Sequence, residues 1–123
     1  MPERTLCNCR ILIVEDEFML ADEMKLELDE AGAVVLGPVG TVEDALAMAR
    51  SEQRIDGAIL DVNLGGEAAY PVADVLIARG VPLVFTTGYD GTSLPDRFKA
   101  VARCEKPTTI RLITQAIGRV LHE

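Results

Sequence analysis

Five short apolar runs constrain the fold of this chain more than any other feature. They are "RILIV" (10–14), "AVVLG" (33–37), "DGAILD" (56–61), "PLVFT" (82–86) and the weaker "VARCE" (101–105). "RILIV" lacks the polar alternation of a strand with one wet face, so it reads as a strand buried on both faces. Amphipathic segments separate the runs. A helix is expected from about Phe18 to Ala31, with Leu20, Met24, Leu28 and Ala31 as its apolar stripe and Gly32 as its stop. Thr41 caps a second, with Asp44 three positions on and Val42, Ala45, Leu46 and Ala49 inward. Pro71 opens a third, carried by Val72, Val75, Leu76 and Ala78 and ended by Gly80. A last helix from about Thr109 presents Ile110, Ile113, Ala116, Ile117, Val120 and Leu121. Strands alternating with helices imply βαβ crossovers, hence an α/β domain with a parallel sheet covered on both faces.

At 123 residues, with neither repeat nor linker, the chain reads as one domain (1–123, core about 9–122) able to bury a core without staples. A net charge of −8 argues against a nucleic-acid surface, which needs clustered Lys and Arg to neutralise phosphates. It is compatible with a divalent cation or a basic partner. No apolar run is long enough to span a bilayer, and "MPERTLCNCR" lacks a signal peptide's apolar core. A cytoplasmic location is expected, with no membrane partner. Cys7 and Cys9 have only Cys104 and His122 as further soft ligands, with no second closely spaced pair. That argues for reduced thiols rather than structural zinc.

In such sheets ligands collect beyond the carboxyl ends of the strands. After the first strand stand Glu15, Asp16 and Glu17. After the third stand Asp61, Asn63, Gly65 and Gly66; after the fourth, Thr86 and Thr87; after the fifth, Lys106 and Pro107. Each has a bland reading. An acidic pair favours a helix N-terminus through its dipole, Lys-Pro is often a turn, and Asp61 could cap a loop. Jointly they put carboxylates, hydroxyls and one ammonium group on one rim. Oxygen donors of this kind suit Mg²⁺, which takes one or two carboxylates, keeps waters and adds a phosphoryl oxygen. The parts fit phosphoryl transfer, in which catalysis is largely positioning and charge neutralisation. The nucleophile would be a carboxylate.

The motifs "VEDE" (14–17), "LDVNLGG" (60–66), "FTTG" (85–88) and "EKP" (105–107) resemble the receiver domain of two-component response regulators, over roughly residues 9–122. The resemblance implies a flavodoxin-like (βα)5 three-layer sandwich, with the five-stranded parallel sheet of that fold in the order 2-1-3-4-5. It implies that Asp61 is the phospho-acceptor for a histidine kinase. Glu15, Asp16, the Asp61 carboxylate and the backbone carbonyl of Asn63 would bind Mg²⁺, Thr87 would meet the phosphoryl group, and Lys106 would pair with it. The family's hydroxyl residue lies five positions after a proline opening the fourth strand, which from Pro82 gives Thr87. Thr86 then faces the opposite side as a packing residue. The family's Lys-Pro bond is usually cis, making Lys106–Pro107 a candidate.

The departures are informative. Three positions before the lysine, where the family's switch has Tyr or Phe, stands Arg103, so the switch must use another element. The loop after Asp61 has Gly65-Gly66 where the family commonly has a proline. Between Thr87 and Lys106 the glycines and Pro95 leave one or two helical turns near Asp96 to Ala100, so the fourth helix should be short or disordered, with a mobile segment opening at Gly88 to Gly91. "VFTTGY" resembles the subgroup called FAT GUY, associated with HWE or related histidine kinases. The implied protein is a stand-alone response regulator, a monomer or weak dimer, whose 88–105 region switches for partner binding or which serves as a phosphate shuttle or sink. It is a phosphoryl acceptor with intrinsic dephosphorylation rather than a turnover enzyme. A receiver fold acting as an unphosphorylated interaction module is the alternative. An aspartyl-phosphate phosphatase of the haloacid-dehalogenase type is disfavoured, because Asn63 stands where a second Asp must act as general acid. A flavin or nucleotide binder is disfavoured because "EDEF" would repel a phosphate.

Overall fold

The apolar runs become one parallel sheet. In a computed structural model, which describes residues 6–88, 94–106 and 109–122, the chain forms β1 (Arg10–Val14), α1 (Phe18–Glu30), β2 (Val34–Val39), α2 (Val42–Ser51) and β3 (Gly57–Asp61). Then come β4 (Asn63–Leu64), β5 (Glu67–Ala68), α3 (Tyr70–Ala78), β6 (Leu83–Thr87), a 3-10 turn (Asp96–Phe98), β7 (Ala102–Glu105) and α4 (Ile110–His122). The sheet order is β2-β1-β3-β6-β7, all pairs parallel. This is the expected 2-1-3-4-5 order once the two-residue antiparallel ribbon β4–β5 is set aside.

Strand alternation divides the core in two. Leu12, Val14, Leu60 and Phe85 pack with Val42, Ala45 and Ala49 of α2 and with Val72, Ala73 and Leu76 of α3. Ile11, Ile13, Ile59 and Val84 pack on the other face with Met24 and Leu28 of α1 and Ile113, Ala116 and Ile117 of α4. Neighbouring residues of the central strands thus serve opposite cores, which is why β1, β3 and β6 show no polar alternation, whereas the edge strand β7 alternates and exposes Arg103 and Glu105. Each fully buried Leu, Ile or Phe contributes about 1.5–3 kcal/mol relative to exposure.

Several details differ from the sequence expectation. On α3 the inward alanine is Ala73, and Ala78 is exposed, because the helix begins at Tyr70 and turns Val72, Ala73 and Leu76 to the sheet. β2 runs on to Val39, with a shift in its pairing to β1 between Leu12 and Val14. Gly37 makes that continuation possible. Its φ is +90°, and a Cβ there would come 2.9 Å from the backbone nitrogen of Val39. The peptide bond Gly37–Pro38 is cis.

Thr41 caps α2 as expected, its hydroxyl accepting the Asp44 N–H at 3.1 Å. Between β6 and β7 the described residues show one 3-10 turn at Asp96–Phe98, where one or two helical turns were expected. The Phe98 N–H donates to the Pro95 carbonyl at 2.9 Å and the Lys99 N–H to the Asp96 carbonyl at 3.1 Å, and buried side chains seat the turn on the domain. Leu94 and Phe98 are buried. The Phe98 ring stacks on Tyr70 at 5.3 Å and meets Phe85 edge-on at 5.4 Å. The expectations for Tyr89 to Gly91 and for a cis Lys106–Pro107 bond fall outside the described residues.

Candidate functional site

The site lies where β1, β3, β6 and β7 end. As β1 leaves the sheet, the Glu15 N–H donates to the Val39 carbonyl at 2.9 Å, which turns the Glu15 side chain into the interior, where it is 3% exposed. Its Oε2 accepts the Glu17 N–H at 3.1 Å. Asp16, one residue on, is exposed at the mouth of the cleft, and its Oδ2 accepts the Gly65 N–H at 2.9 Å. Asp61 closes β3 and is 5% exposed. Its Oδ1 accepts the Asn63 N–H at 3.0 Å, and its Oδ2 accepts from Lys106 Nζ at 2.9 Å.

Lys106 reaches this point because its backbone extends the last parallel pairing, the Lys106 N–H donating to the Thr87 carbonyl at 2.7 Å. Its ammonium also lies 3.4 Å from Glu15 Oε2, 3.2 Å from Glu15 Oε1 and 3.7 Å from Glu17 Oε1. Glu15, Asp16 and Asp61 each bring a carboxylate oxygen within 4.8 Å of the others. The cleft they border has a volume of about 310 Å³ and is lined by Asp16, Glu17, Asp61, Asn63, Gly65, Gly66, Gly88 and Lys106.

Burial sets the electrostatics. It pushes the Glu15 carboxyl up to about 7, with the neighbouring Asp61 charge adding to the rise and the Glu17 N–H and Lys106 opposing it. Burial also works against the Lys106 ammonium. The hydrogen bond to Asp61 and the charges of Glu15 and Asp61 outweigh it and hold Lys106 above the ordinary lysine value. One ammonium faces several carboxylates, and Glu15 Oε1, 3.2 Å from it, is a buried oxygen that accepts no hydrogen bond among the described residues. A buried carboxylate oxygen held by an ion pair alone, in an all-oxygen donor set, fits a hard divalent cation.

Of the residues singled out from sequence, Glu15, Asp16, Asp61, Asn63 and Lys106 meet at this site. Thr87 is adjacent to it and 5% exposed. By strand alternation it shares a side of β6 with Phe85, the side facing α2 and α3. Thr86 lies directly opposite Asp61 in the β3–β6 pairing. It is fully buried, and its hydroxyl has no hydrogen-bond partner among the described residues. The contact unforeseen from sequence is the one between Gly65 and Asp16. Its sequence signal was the glycine at 65, because a proline there would have no N–H to donate.

No protein-family model matches the chain. Over 88 residues, 69% of its length, it is 33% identical to the sensory transduction protein LytT of Bacillus cereus, and 32% identical to that of Bacillus anthracis. It spans 35% of the length of these curated relatives. Among solved structures it is similar to SdrG from Sphingomonas melonis Fr1, with 40% identity, a TM-score of 0.80, and coverage of 94% of this chain and 98% of that one. It is also similar to a response regulator receiver protein from Sinorhizobium medicae WSM419, with 26% identity, a TM-score of 0.76, and coverage of 94% and 95%. The non-phosphorylated HemR receiver domain from Leptospira biflexa, at 23% identity and a TM-score of 0.81 over 94% and 96% of the two chains, shares the fold.

Proposed function

This chain belongs to the receiver domains of response regulators, proteins of two-component signalling, and we propose that it accepts a phosphoryl group from a histidine kinase onto Asp61. The observation that carries the proposal is the Lys106 ammonium, 2.9 Å from Asp61 Oδ2 within a cluster of three carboxylates. An Asp61 oxygen attacks the phosphorus of a phosphohistidine. The new O–P bond forms as the N–P bond to the imidazole breaks, the imidazole keeps the bonding electron pair, and the product is an aspartyl phosphate. Lys106 moves its ion pair from the Asp61 carboxylate to a phosphoryl oxygen, and the Thr87 hydroxyl donates to another. Glu15, Asp16, Asp61 and the Asn63 backbone carbonyl would hold Mg²⁺, which when bound neutralises charge on the transferring group.

The chain is consumed as acceptor and restored by hydrolysis, which makes it a switch rather than a turnover enzyme. The signal leaves through the segment around residues 94–105. Thr87 shares its side of β6 with Phe85, Phe85 meets Phe98, and the Thr87 carbonyl holds Lys106. Arg103, exposed on β7, is no candidate for the rotation of a buried aromatic, so the Phe98 turn takes that role. Its partners would be a histidine kinase, of the HWE or a related type, and a downstream or phosphotransfer protein.

The test is incubation with Mg²⁺ and acetyl phosphate, read by intact mass. A labile adduct of one phosphoryl group should form on the wild type, be absent from Asp61→Asn and be suppressed by a chelator. An unmodified wild type, under conditions that label another receiver domain, would sink the proposal.

A further inference from the structure

We propose that the backbone N–H of Gly65 positions the Asp16 carboxylate for the divalent cation, which makes the β4–β5 ribbon part of the cation-binding apparatus. The inference rests on the cation reading above. The three clustered carboxylates are not held alike. Glu15 and Asp61 are buried and each accepts a local backbone N–H and a bond from Lys106. Asp16 is exposed, and an exposed carboxylate with no fixed partner loses rotamer freedom when a cation captures it. The donor that fixes it beforehand is the Gly65 N–H, 49 residues away in sequence and 2.9 Å away in space. This bond occupies Oδ2 and leaves the second oxygen of the carboxylate to offer.

The donor is itself fixed. Leu64 is buried, and the Ala69 N–H donates to the Val62 carbonyl at 2.8 Å, closing the base of the ribbon. At its tip the Asn63 Oδ1 accepts the Gly66 N–H at 2.7 Å. The turn requires φ of +59° at Gly65 and +94° at Gly66. A proline at 65 could neither donate nor adopt that angle. An asparagine could do both, because it tolerates left-handed φ. A Cβ at 65 meets only Asp16 Oδ2, at 3.9 Å, an ordinary contact. Partners that orient a metal-ligating group commonly change metal affinity by tenfold or more when lost.

The experiment is a calorimetric Mg²⁺ titration of the wild type, Gly65→Pro and Gly65→Asn, with the Gly65 amide resonance followed in ¹H–¹⁵N spectra of the wild type and Asp16→Ala. Gly65→Pro should bind Mg²⁺ about tenfold more weakly, while Gly65→Asn should stay close to the wild type. In the metal-free wild type the Gly65 amide should be protected from exchange, and its resonance should move in Asp16→Ala. That reading stands even where Gly65→Pro fails to fold. Equal affinity in Gly65→Pro and wild type, an equal loss in Gly65→Asn, or a Gly65 resonance indifferent to Asp16→Ala each overturns this inference alone. A wild type that binds no Mg²⁺ overturns the cation reading, and this inference with it.

Discussion

Glu15 carries a conflict between burial and charge that the rest of the site must relieve. Its carboxyl is 3% exposed and titrates near 7, above the ordinary 4.5, chiefly because burial disfavours the ionised form. A folded-state value above the unfolded one means that folding favours the protonated form. The stabilisation is therefore complete below about 4.5 and lost as pH rises through about 7. In a chelator, Glu15→Gln should be more stable than wild type at pH 8, by on the order of 2 kcal/mol, and lose that advantage at pH 4.5. Urea unfolding at the two pH values measures this, and parallel pH dependences would refute it. Thr86 and Thr87 show how neighbouring residues part company. The pairing places Thr86 beside Asp61, yet its hydroxyl is sealed in without a partner among the described residues, whereas Thr87 contributes the backbone carbonyl that anchors Lys106.

The 3-10 turn at Asp96–Phe98 is too short to be stable as an isolated helix, so its place depends on tertiary contacts. Two of these differ in kind. Phe98 is fully buried between Tyr70 and Phe85. Arg97 pairs with Asp74 of α3 at 3.0 and 3.1 Å on the surface. Truncating a buried phenylalanine costs about 3–5 kcal/mol, and an exposed ion pair is worth about 1 kcal/mol or less. Phe98→Ala should therefore lower unfolding free energy severalfold more than Arg97→Ala. Equal effects in chemical denaturation would show that the turn is held from outside instead. If this turn carries the signal, phosphorylation of Asp61 should slow amide exchange across residues 94–101, and unchanged exchange there would count against that route.

On the scale of the molecule, the parallel sheet delivers the ends of β1, β3 and β7 to one rim. The chain's net charge is −8, and three clustered carboxylates there repel one another. A cation bridging them should stabilise the native state by mass action, by about 1.4 kcal/mol at a free concentration tenfold above its dissociation constant. The melting temperature should rise with Mg²⁺ and fall back on chelation. A midpoint independent of Mg²⁺ in the wild type would mean that the carboxylates do not act together. Among the described residues, no helix is long and apolar enough to cross a membrane.

The sequence by itself determined the alternation of the five sheet strands with the helices, the two-sided burial of the central strands, the Thr41 cap and the rim on which Glu15, Asp16, Asp61, Asn63 and Lys106 meet. These follow from periodicity and capping, which act over a few residues, and from the geometry of parallel sheets, which puts every strand's carboxyl end on the same side. The strand order itself was legible only through the motif resemblance. Only the tertiary structure decided that Glu15 rather than Asp16 is buried, that residues 63–68 form the β4–β5 ribbon from which Gly65 holds Asp16, that the short turn expected near Asp96 is anchored by Phe98 on Tyr70 and Phe85, and that β2 continues past Gly37. Each depends on neighbours far away in sequence, and desolvation and hydrogen-bond reach are properties of the packed site, not of a stretch of chain.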